Sequence, residues 1–527
     1  MLRRRNLRLV AHHHSLPWVL LGLTILALGF RLVLAIGFPN DAPDDGRFYA
    51  LIARNLLEHG VYSGDGSAPY VPTYVRVPGY PLFLAAVYAV CGIDHNTAVR
   101  IIQAVIDTLT CWVVAALALA LAPASWSNAA RRRTLVAALA LAALCPFTAI
   151  YVATILTETL AIALGTALAW CSVEALARRA SCDGDRPAIS SRGGAWPWWL
   201  GAGAAGGALT MIRPEGGLLV AGAVVALCVS IMPQRRRVAG VRPCRIMPSL
   251  RSAGVFSLGV ALFIAPWTYR NYATFGVFQP IAPQSASMPR QFVASGYTRW
   301  LGTWVDAPRF VGPFEFDLDV MRFNVDQMPD WAFDSPEERA RVAGLFARYN
   351  GPTPEGASAP ELLPPAGMTP DLDREFASLA RERIARHPFR HYVILPATRA
   401  ASLWLDTHSQ YYPFEGDLFP LSALEDDHWQ GFWLPLFAFV VGLYTILGVV
   451  GGLVLMRMPA ARPGVWLLVL ITVPRFILLA SLENPEPRYT VEFFPLVAAL
   501  GATASAWFVD CRARRRNDLL GAGSVSS

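Results

Sequence analysis

The chain has 527 residues, of which 54% are hydrophobic and 16% are charged. Soluble domains carry roughly 25% charged residues, and several apolar runs here reach the ~20 residues that span a bilayer. This composition excludes an ordinary soluble protein. The net charge of +7 does not indicate nucleic-acid binding, because arginines cluster in short segments between apolar runs, at 3–5, 131–133, 235–237 and 514–516.

The apolar runs predict an all-α, multi-pass membrane protein with about ten transmembrane helices. Arginine clusters favour the cytoplasmic side, which predicts a bacterial inner membrane protein with both termini in the cytoplasm. The run 79–92 is too short to span upright, and a span there would place 131–133 outside, so it is predicted as a surface or re-entrant helix. The predicted spans are 17–37, 98–122, 133–150, 153–177, 197–212, 215–232, 252–269, 432–456, 463–481 and 488–509.

Five regions then lie on the outer face: 38–97, 145–154, 213–215, 270–431 and 483–488. The fourth is too long for a simple connection and predicts a lid-like domain. Within it, 370–404 is predicted to be helical with a break near Pro388. The predicted division is a transmembrane module over 1–270 with a catalytic loop at 38–97, an extracytoplasmic domain over 271–431, transmembrane helices over 432–510 and a cytoplasmic tail over 511–527.

The first outer loop contains an amphipathic pattern at 46–59. Phe48, Ile52 and Leu56 recur at helical spacing, whereas the charged residues lie elsewhere on the helix. This pattern predicts a helix in the membrane interface. Asp44 or Asp45 is expected near its N-cap, since aspartate is a favoured capping residue.

Four segments in chain order resemble the GT-C membrane glycosyltransferases, in particular the branch with protein O-mannosyltransferase-like, aminoarabinose-transferase-like and Rgt-type enzymes. The resemblance covers most of the chain, and each segment falls on the predicted outer face or beside it. The large loop after Gln284 resembles no known pattern. The segments are DDGRFYALIARNLLEHGVYS, RVPGYPLFLAAVYAVCG, APWTYRNYATFGVFQPI and PEPRYTVEFFPLVAALGA.

The resemblance implies a helical bundle with interfacial helices over a cavity. It implies transfer of a sugar from a polyprenyl-phosphate carrier to an envelope acceptor (lipid, glycan or protein) on the outer face, with membrane lipid and no nucleic acid as partners. An aspartate in the first loop is the expected general base. Asp45 has the matching spacing to Tyr49, Asp44 is its rival, and Asp41 is expected to be a solvated loop charge.

Such a transfer needs cations that hold the phosphate as charge develops on it. Arg270 and Arg488 are the preferred candidates, because both lie at headgroup depth where an outer loop meets a span. Simple anchoring in the interface is the alternative, since arginine snorkels there. Arg213 is expected to form a local ion pair with Glu215. The predicted substrate-binding set is Arg76, Tyr80, Glu158, Arg270, Asn271, Arg488 and Tyr489.

Among the acidic residues within predicted spans, Asp107 and Glu158 are considered as site candidates. Intramembrane acids are functional candidates by default. Glu158 lies near the outer end of its helix and is expected to line the cavity, whereas Asp107 is expected to make a helix-packing contact. Asp44 with Asp45 offers a carboxylate pair for a divalent cation, but no third ligand is apparent. No cofactor and no strict metal requirement are therefore expected.

Three other functions fit parts of the pattern. A transporter or flippase for lipid-linked saccharides often shows internal repeats and broken midplane helices, and the sequence shows no such repeat. A ligase or polymerase would carry its key residues in the large outer loop. A non-catalytic protein of the same fold would keep the loop-one aspartate as a helix cap.

Overall fold

The computed structural model describes residues 15–41, 45–182, 194–231, 246–283, 287–289, 291–352, 363–419, 421–424 and 428–522. Within these ranges the chain is helical, and the β-structure consists of one isolated parallel bridge between Asn40 and Thr154. The helices are α1 (Ser15–Gly37), α2 (Asp45–His59), α3 (Gly79–Cys91), α4 (Asn96–Leu121), α5 (Asn128–Ala143), α6 (Pro146–Ala149), α7 (Glu158–Cys182), α8 (Trp196–Ile212), α9 (Gly216–Ile231), α10 (Ile246–Phe275), α11 (Ser295–Leu301), α12 (Pro336–Asn350), α13 (Pro370–Arg386), α14 (Leu395–Leu405), α15 (His428–Met456), α16 (Arg462–Ser481) and α17 (Phe494–Ala522).

The predicted all-α, multi-pass architecture is confirmed. Among the described residues, seven helices are long and apolar enough to cross a membrane, or eight if a bent pair counts as one span. The helices α8 and α9 occupy two further predicted spans but have 17 and 16 residues. The seven long helices cover Ser15–Gly37, Asn96–Leu121, Glu158–Arg178, Leu250–Phe275, His428–Met456, Arg462–Ser481 and Pro487–Trp507.

The predicted span 133–150 corresponds to a pair of helical segments with a break between them. The helix α5 ends at Ala143, and the next helical segment begins at Pro146. The two segments are bent by 50° relative to each other. The guanidinium of Arg31 in α1 donates to the carbonyl oxygens of Ala142 (3.1 Å) and Ala143 (2.9 Å). These hydrogen bonds satisfy carbonyls that the end of a helix leaves without partners.

Asp107 makes the helix-packing contact that the sequence predicts. The Nε of Arg31 in α1 donates to the Oδ2 of Asp107 in α4 at 2.6 Å, and both side chains are buried.

Close backbone contact joins two other helices, α8 and α10. A Cβ atom at Gly203 would lie 2.1 Å from the carbonyl oxygen of Phe256, so only glycine fits there. Small residues allow such close approach between membrane helices.

The amphipathic helix predicted at 46–59 is confirmed as α2. Ile52 is buried on its inner face, whereas Leu57 is exposed. The run 79–92 also forms a helix, α3, of only 13 residues. The two short helices pack together, with the rings of Tyr49 and Tyr80 meeting edge to face at 5.3 Å. Asp44, the alternative cap, lies outside the described residues.

The segment that follows α10 has an aromatic core of its own. Tyr297, Trp300 and Phe376 are fully buried in it. The Asp373 carboxylate in α13 accepts hydrogen bonds from the backbone N–H groups of Gly296 and Tyr297. The predicted helical stretch 370–404 is confirmed, with its break between α13 and α14, and α14 packs against α16. The domain boundaries drawn from the sequence stay a prediction.

Candidate functional site

Segments from four of the five predicted outer regions contribute to one charged cluster. Asp45 contacts Arg76 within the first loop and Arg488 in the last link. Arg488 reaches the hydroxyl of Tyr411, which belongs to the large loop, at 3.5 Å. The first span after the bend contributes Glu158, which pairs with Arg213. The chain therefore brings distant segments together around one charged cluster.

The carboxylate of Asp45 lies between two arginines. The Nη2 of Arg76 donates to Oδ1 at 3.1 Å, and the Nη1 of Arg488 lies 3.8 Å from Oδ2. The Asp45 side chain is 33% exposed, so an incoming ligand can reach it. Asp45 is also the first residue of α2, where a negative charge is stabilised by the positive end of the helix dipole.

Arg488 and Tyr489 form the opposite wall of the cluster. Arg488 pairs with Glu486, and its Nη2 donates to the hydroxyl of Tyr489 at 3.3 Å. The ring of Tyr489 has the Arg488 guanidinium 5.1 Å from its centroid and that of Arg213 at 5.3 Å. Sequence reasoning named Arg488 and Tyr489 but missed Glu486 and Tyr411. Glu486 was within reach, because it lies two residues before Arg488 in a predicted outer link.

A network of buried ion pairs lies next to this cluster, where Arg213 contacts the ring of Tyr489. Arg213 contacts Glu158 at 3.0 Å and Glu215 at 2.8 Å. Glu158 is 2% exposed, so it holds Arg213 in place instead of facing an open cavity. Arg475 pairs with Glu492, and both are buried. Sequence reasoning missed Arg475 and Glu492, although a charged residue inside a predicted span is itself a signal.

The network holds Glu215 in its ionised form. Burial opposes the charge, but Arg213 and Arg475 outweigh it and lower the pKa of Glu215 to about 2. The predicted local pair between Arg213 and Glu215 is therefore part of a larger assembly. Removing a partner from such a buried cluster leaves an uncompensated charge, so we infer that the network fixes the orientation of Arg213 beside Tyr489.

Glu486 and Glu315 differ from Glu215, because their pKa values are raised. Burial raises the pKa of Glu486 above its ordinary value despite the nearby Arg488. Burial, with contributions from Glu483 and Glu486, raises the pKa of Glu315 to about 7. Glu315 comes from the segment between α11 and α12, so this segment faces the last link. The folded protein therefore disfavours ionisation of the Glu315 carboxyl group.

Glu315→Gln is expected to stabilise the protein at pH 8 more than at pH 5. The folded state disfavours the charged carboxylate, so stability is highest below the ordinary pKa of glutamate and falls as the pH rises towards about 7. The amide removes a cost of about 1–3 kcal/mol at pH 8, most of which is absent at pH 5. Thermal unfolding of the purified protein at both pH values measures this. An equal shift at both values, or the same pattern in the exposed control Glu58→Gln, would contradict it.

Three predicted substrate-binding residues lie apart from Asp45's direct contacts. Arg270 donates to the carbonyl oxygen of Thr73 at 2.7 Å, and its guanidinium faces the rings of Tyr62, Trp267 and Phe275. Asn271 is buried and donates to the carbonyl oxygen of Gln279. Tyr80 is fully buried and donates to the Oε1 of Gln103. These three residues shape the surroundings of the cluster.

An apolar groove lies between α9 and α10. Its volume is about 630 Å³. Ile264 lines the groove and also packs in the cluster that contains Ile52 of α2, so the groove adjoins the amphipathic helix that carries Asp45. The groove is lined by Val220, Val224, Phe256, Ser257, Val260, Ala261, Ile264, Ala265, Thr268, Tyr269, Tyr272, Phe278 and Pro280.

Metal binding at the site is not decided by the described residues. Among them, no group of three or more His, Cys, Asp or Glu side chains is placed to hold a metal ion. Asp44, one half of the carboxylate pair noted in the sequence, lies outside that part of the chain. A divalent cation at Asp44 and Asp45 stays a prediction.

No protein-family model and no curated protein matches the chain. Among solved structures, it is similar to the oligosaccharyltransferase of Archaeoglobus fulgidus in the apo form, with 14% identity, 95% of this chain covered and a TM-score of 0.49. It is also similar to AglB of that organism in complex with an inhibitory peptide and a dolichol-phosphate, with 13% identity, 96% of this chain covered and a TM-score of 0.46. A third similar structure is ArnT from Cupriavidus metallidurans bound to undecaprenyl phosphate. The identity is 13%, the TM-score is 0.34, and the match covers 94% of this chain and 78% of ArnT.

The chain spans about half the length of the archaeal oligosaccharyltransferases, 52% in both structures. At these identities and TM-scores the likeness does not assign a reaction. The contacts of Asp45 carry the functional proposal.

Proposed function

We propose that the protein is a membrane glycosyltransferase. It moves a sugar from a polyprenyl-phosphate-linked donor to an envelope acceptor, which is a lipid, a glycan or a protein, on the extracytoplasmic face. Asp45 acts as the general base. The observation that carries this proposal is the partly exposed Asp45 carboxylate placed between Arg76 and Arg488.

The placement supports both halves of the chemistry. A base must take the proton from the acceptor hydroxyl as the new glycosidic bond forms, and Asp45 is exposed enough to do so, whereas Glu158 is buried and paired. Cations must stabilise the phosphate as it leaves. Arg76 and Arg488 lie next to the base, so one ligand can contact all three residues.

The groove between α9 and α10 supports a lipid-linked donor. Its lining is almost entirely apolar, and several of the lining residues are exposed on the surface of α10. A polyprenyl chain has no polar atoms to satisfy and fits such a surface. Ile264 of the groove packs in the hydrophobic cluster of Ile52 in α2, so we expect a chain in the groove to extend towards the helix that carries Asp45.

The distribution of arginines supports the proposed orientation. Placing the cluster of Asp45 outside a bacterial inner membrane leaves both termini cytoplasmic and follows the positive-inside rule. Of the arginine clusters that set this orientation, 3–5 and 235–237 lie outside the described residues.

A non-catalytic role is the second candidate, and one observation favours it. Asp45 is the first residue of α2, where an aspartate stabilises a helix without any chemistry. Substitution of Asp45 by asparagine, considered in the Discussion, separates the two functions.

Arg488→Ala is expected to weaken donor use by about tenfold to a hundredfold. Losing one charge-assisted contact to a phosphate costs roughly 1.5–3 kcal/mol. Mass spectrometry of a deletion strain first identifies the envelope glycan that the strain lacks. The measurement is then the initial rate at which this glycan is formed at limiting donor. Arg270→Ala is the matched comparison and is expected to have a smaller effect, because Arg270 is held by Thr73 and aromatic rings. Wild-type donor use in the Arg488 variant would reduce Arg488 to a membrane anchor.

A further inference from the structure

We propose that Arg76 and Arg488 mask the Asp45 carboxylate until the phosphate of the donor takes their place as its partners, so that the donor binds before the acceptor. This inference rests on the proposed function. It adds an order of binding and a reason for that order.

The geometry shows each carboxylate oxygen of Asp45 facing its own guanidinium. Oδ1 accepts from Arg76 at 3.1 Å, and Oδ2 lies 3.8 Å from Arg488. An acceptor hydroxyl must donate its hydrogen bond to one of these oxygens before it can lose its proton. While both guanidinium groups remain in place, a hydroxyl must share these oxygens with them.

The same two guanidinium groups are suited to a phosphate. Arginine binds phosphate oxygens in strong, charge-assisted hydrogen bonds. Arg488 is held from behind by Glu486 and contacts Tyr411 and Tyr489, so it keeps its position when its contact with Asp45 is released. Phosphate and carboxylate therefore compete for one pair of cations, and each must weaken the binding of the other.

The order of binding follows from this competition. In the absence of donor, Asp45 is paired with Arg76 and Arg488, and an acceptor hydroxyl must compete with these cations for its oxygens. Once phosphate engages Arg76 and Arg488, the carboxylate turns to the acceptor hydroxyl. The base becomes available only when the phosphate of a lipid carrier occupies the two arginines.

Binding of undecaprenyl phosphate to the full-length protein in lipid nanodiscs tests this inference without knowledge of the acceptor. Asp45→Asn removes the competing charge and is expected to bind the probe about threefold to tenfold more tightly than the wild type. Asp41→Asn is the matched control. It removes a carboxylate of the same loop that pairs with Arg100 and is 61% exposed, and it is expected to leave binding unchanged.

The outcomes separate the inference from the proposed function. Unchanged or weaker binding by Asp45→Asn, or equal tightening by Asp41→Asn, overturns the masking of Asp45. If the probe still binds the wild type and Arg488→Ala weakens it, the proposed function stands in that case. Binding by no variant, with the wild type included, overturns both.

Discussion

Asp45→Asn is expected to insert and fold normally but to transfer sugar at least ~100-fold more slowly. Asparagine has almost the same size and caps a helix as well as aspartate does, so the start of α2 is kept. It cannot accept a proton at neutral pH, so the contribution of general base catalysis is lost. The measurement is the initial transfer rate per molecule of correctly inserted protein.

Two comparisons make this result specific. Asp44→Asn, prepared in parallel, is expected to do less harm, because Asp45 has the spacing to Tyr49 and contacts both arginines. Thermal unfolding of each variant reports whether the fold is intact. A fully active Asp45→Asn enzyme would show that the residue is a cap, and the role of base would move to Asp44 or Glu158.

Arg31→Leu is expected to lower the free energy of unfolding by about 3–5 kcal/mol, because it leaves Asp107 buried without its partner. It also removes the donor to the carbonyls that end α5. Unfolding by denaturant in mixed micelles measures the change. Replacing both Arg31 and Asp107 by leucine is expected to recover much of the loss, since the uncompensated charge is gone.

An exposed ion pair provides the control for this experiment. Arg178 pairs with Glu174 one helical turn earlier, at 3.3 Å, and both side chains are partly exposed. Arg178→Leu removes this pair and the contact of its guanidinium with the Trp198 ring, and it is expected to change the free energy of unfolding by about 1 kcal/mol or less. Equal effects of the two substitutions would show that burial of the Arg31 pair is not what gives it weight.

The sequence allowed much of the architecture to be predicted, for physical reasons. Apolar runs report membrane helices directly, and the 3.6-residue period reports the buried face of α2. Arginine clusters place loops on one side of a membrane, which grouped Asp45, Arg213 and Arg488 on one face before any contact was known. Those residues meet in the structure.

The partners of these residues could not be predicted in the same way. Arg475 with Glu492 and Arg31 with Asp107 join residues that neither motif nor period relates, and the second pair spans 76 positions. Local pattern also failed at the bend after Ala143, where apolar character continues while the backbone turns at Pro146. Only the packing of helices decides which charges find each other.

The arginine in α1 has a consequence for biosynthesis. The buried cation of this helix finds Asp107 only after 76 more residues have been made. At translation rates of about 5–20 residues per second, that interval is about 4–15 seconds. An unpaired arginine is costly in lipid, so we expect α1 to stay in contact with the insertion machinery until α4 has been made. Docking of α1 then follows the synthesis of α4.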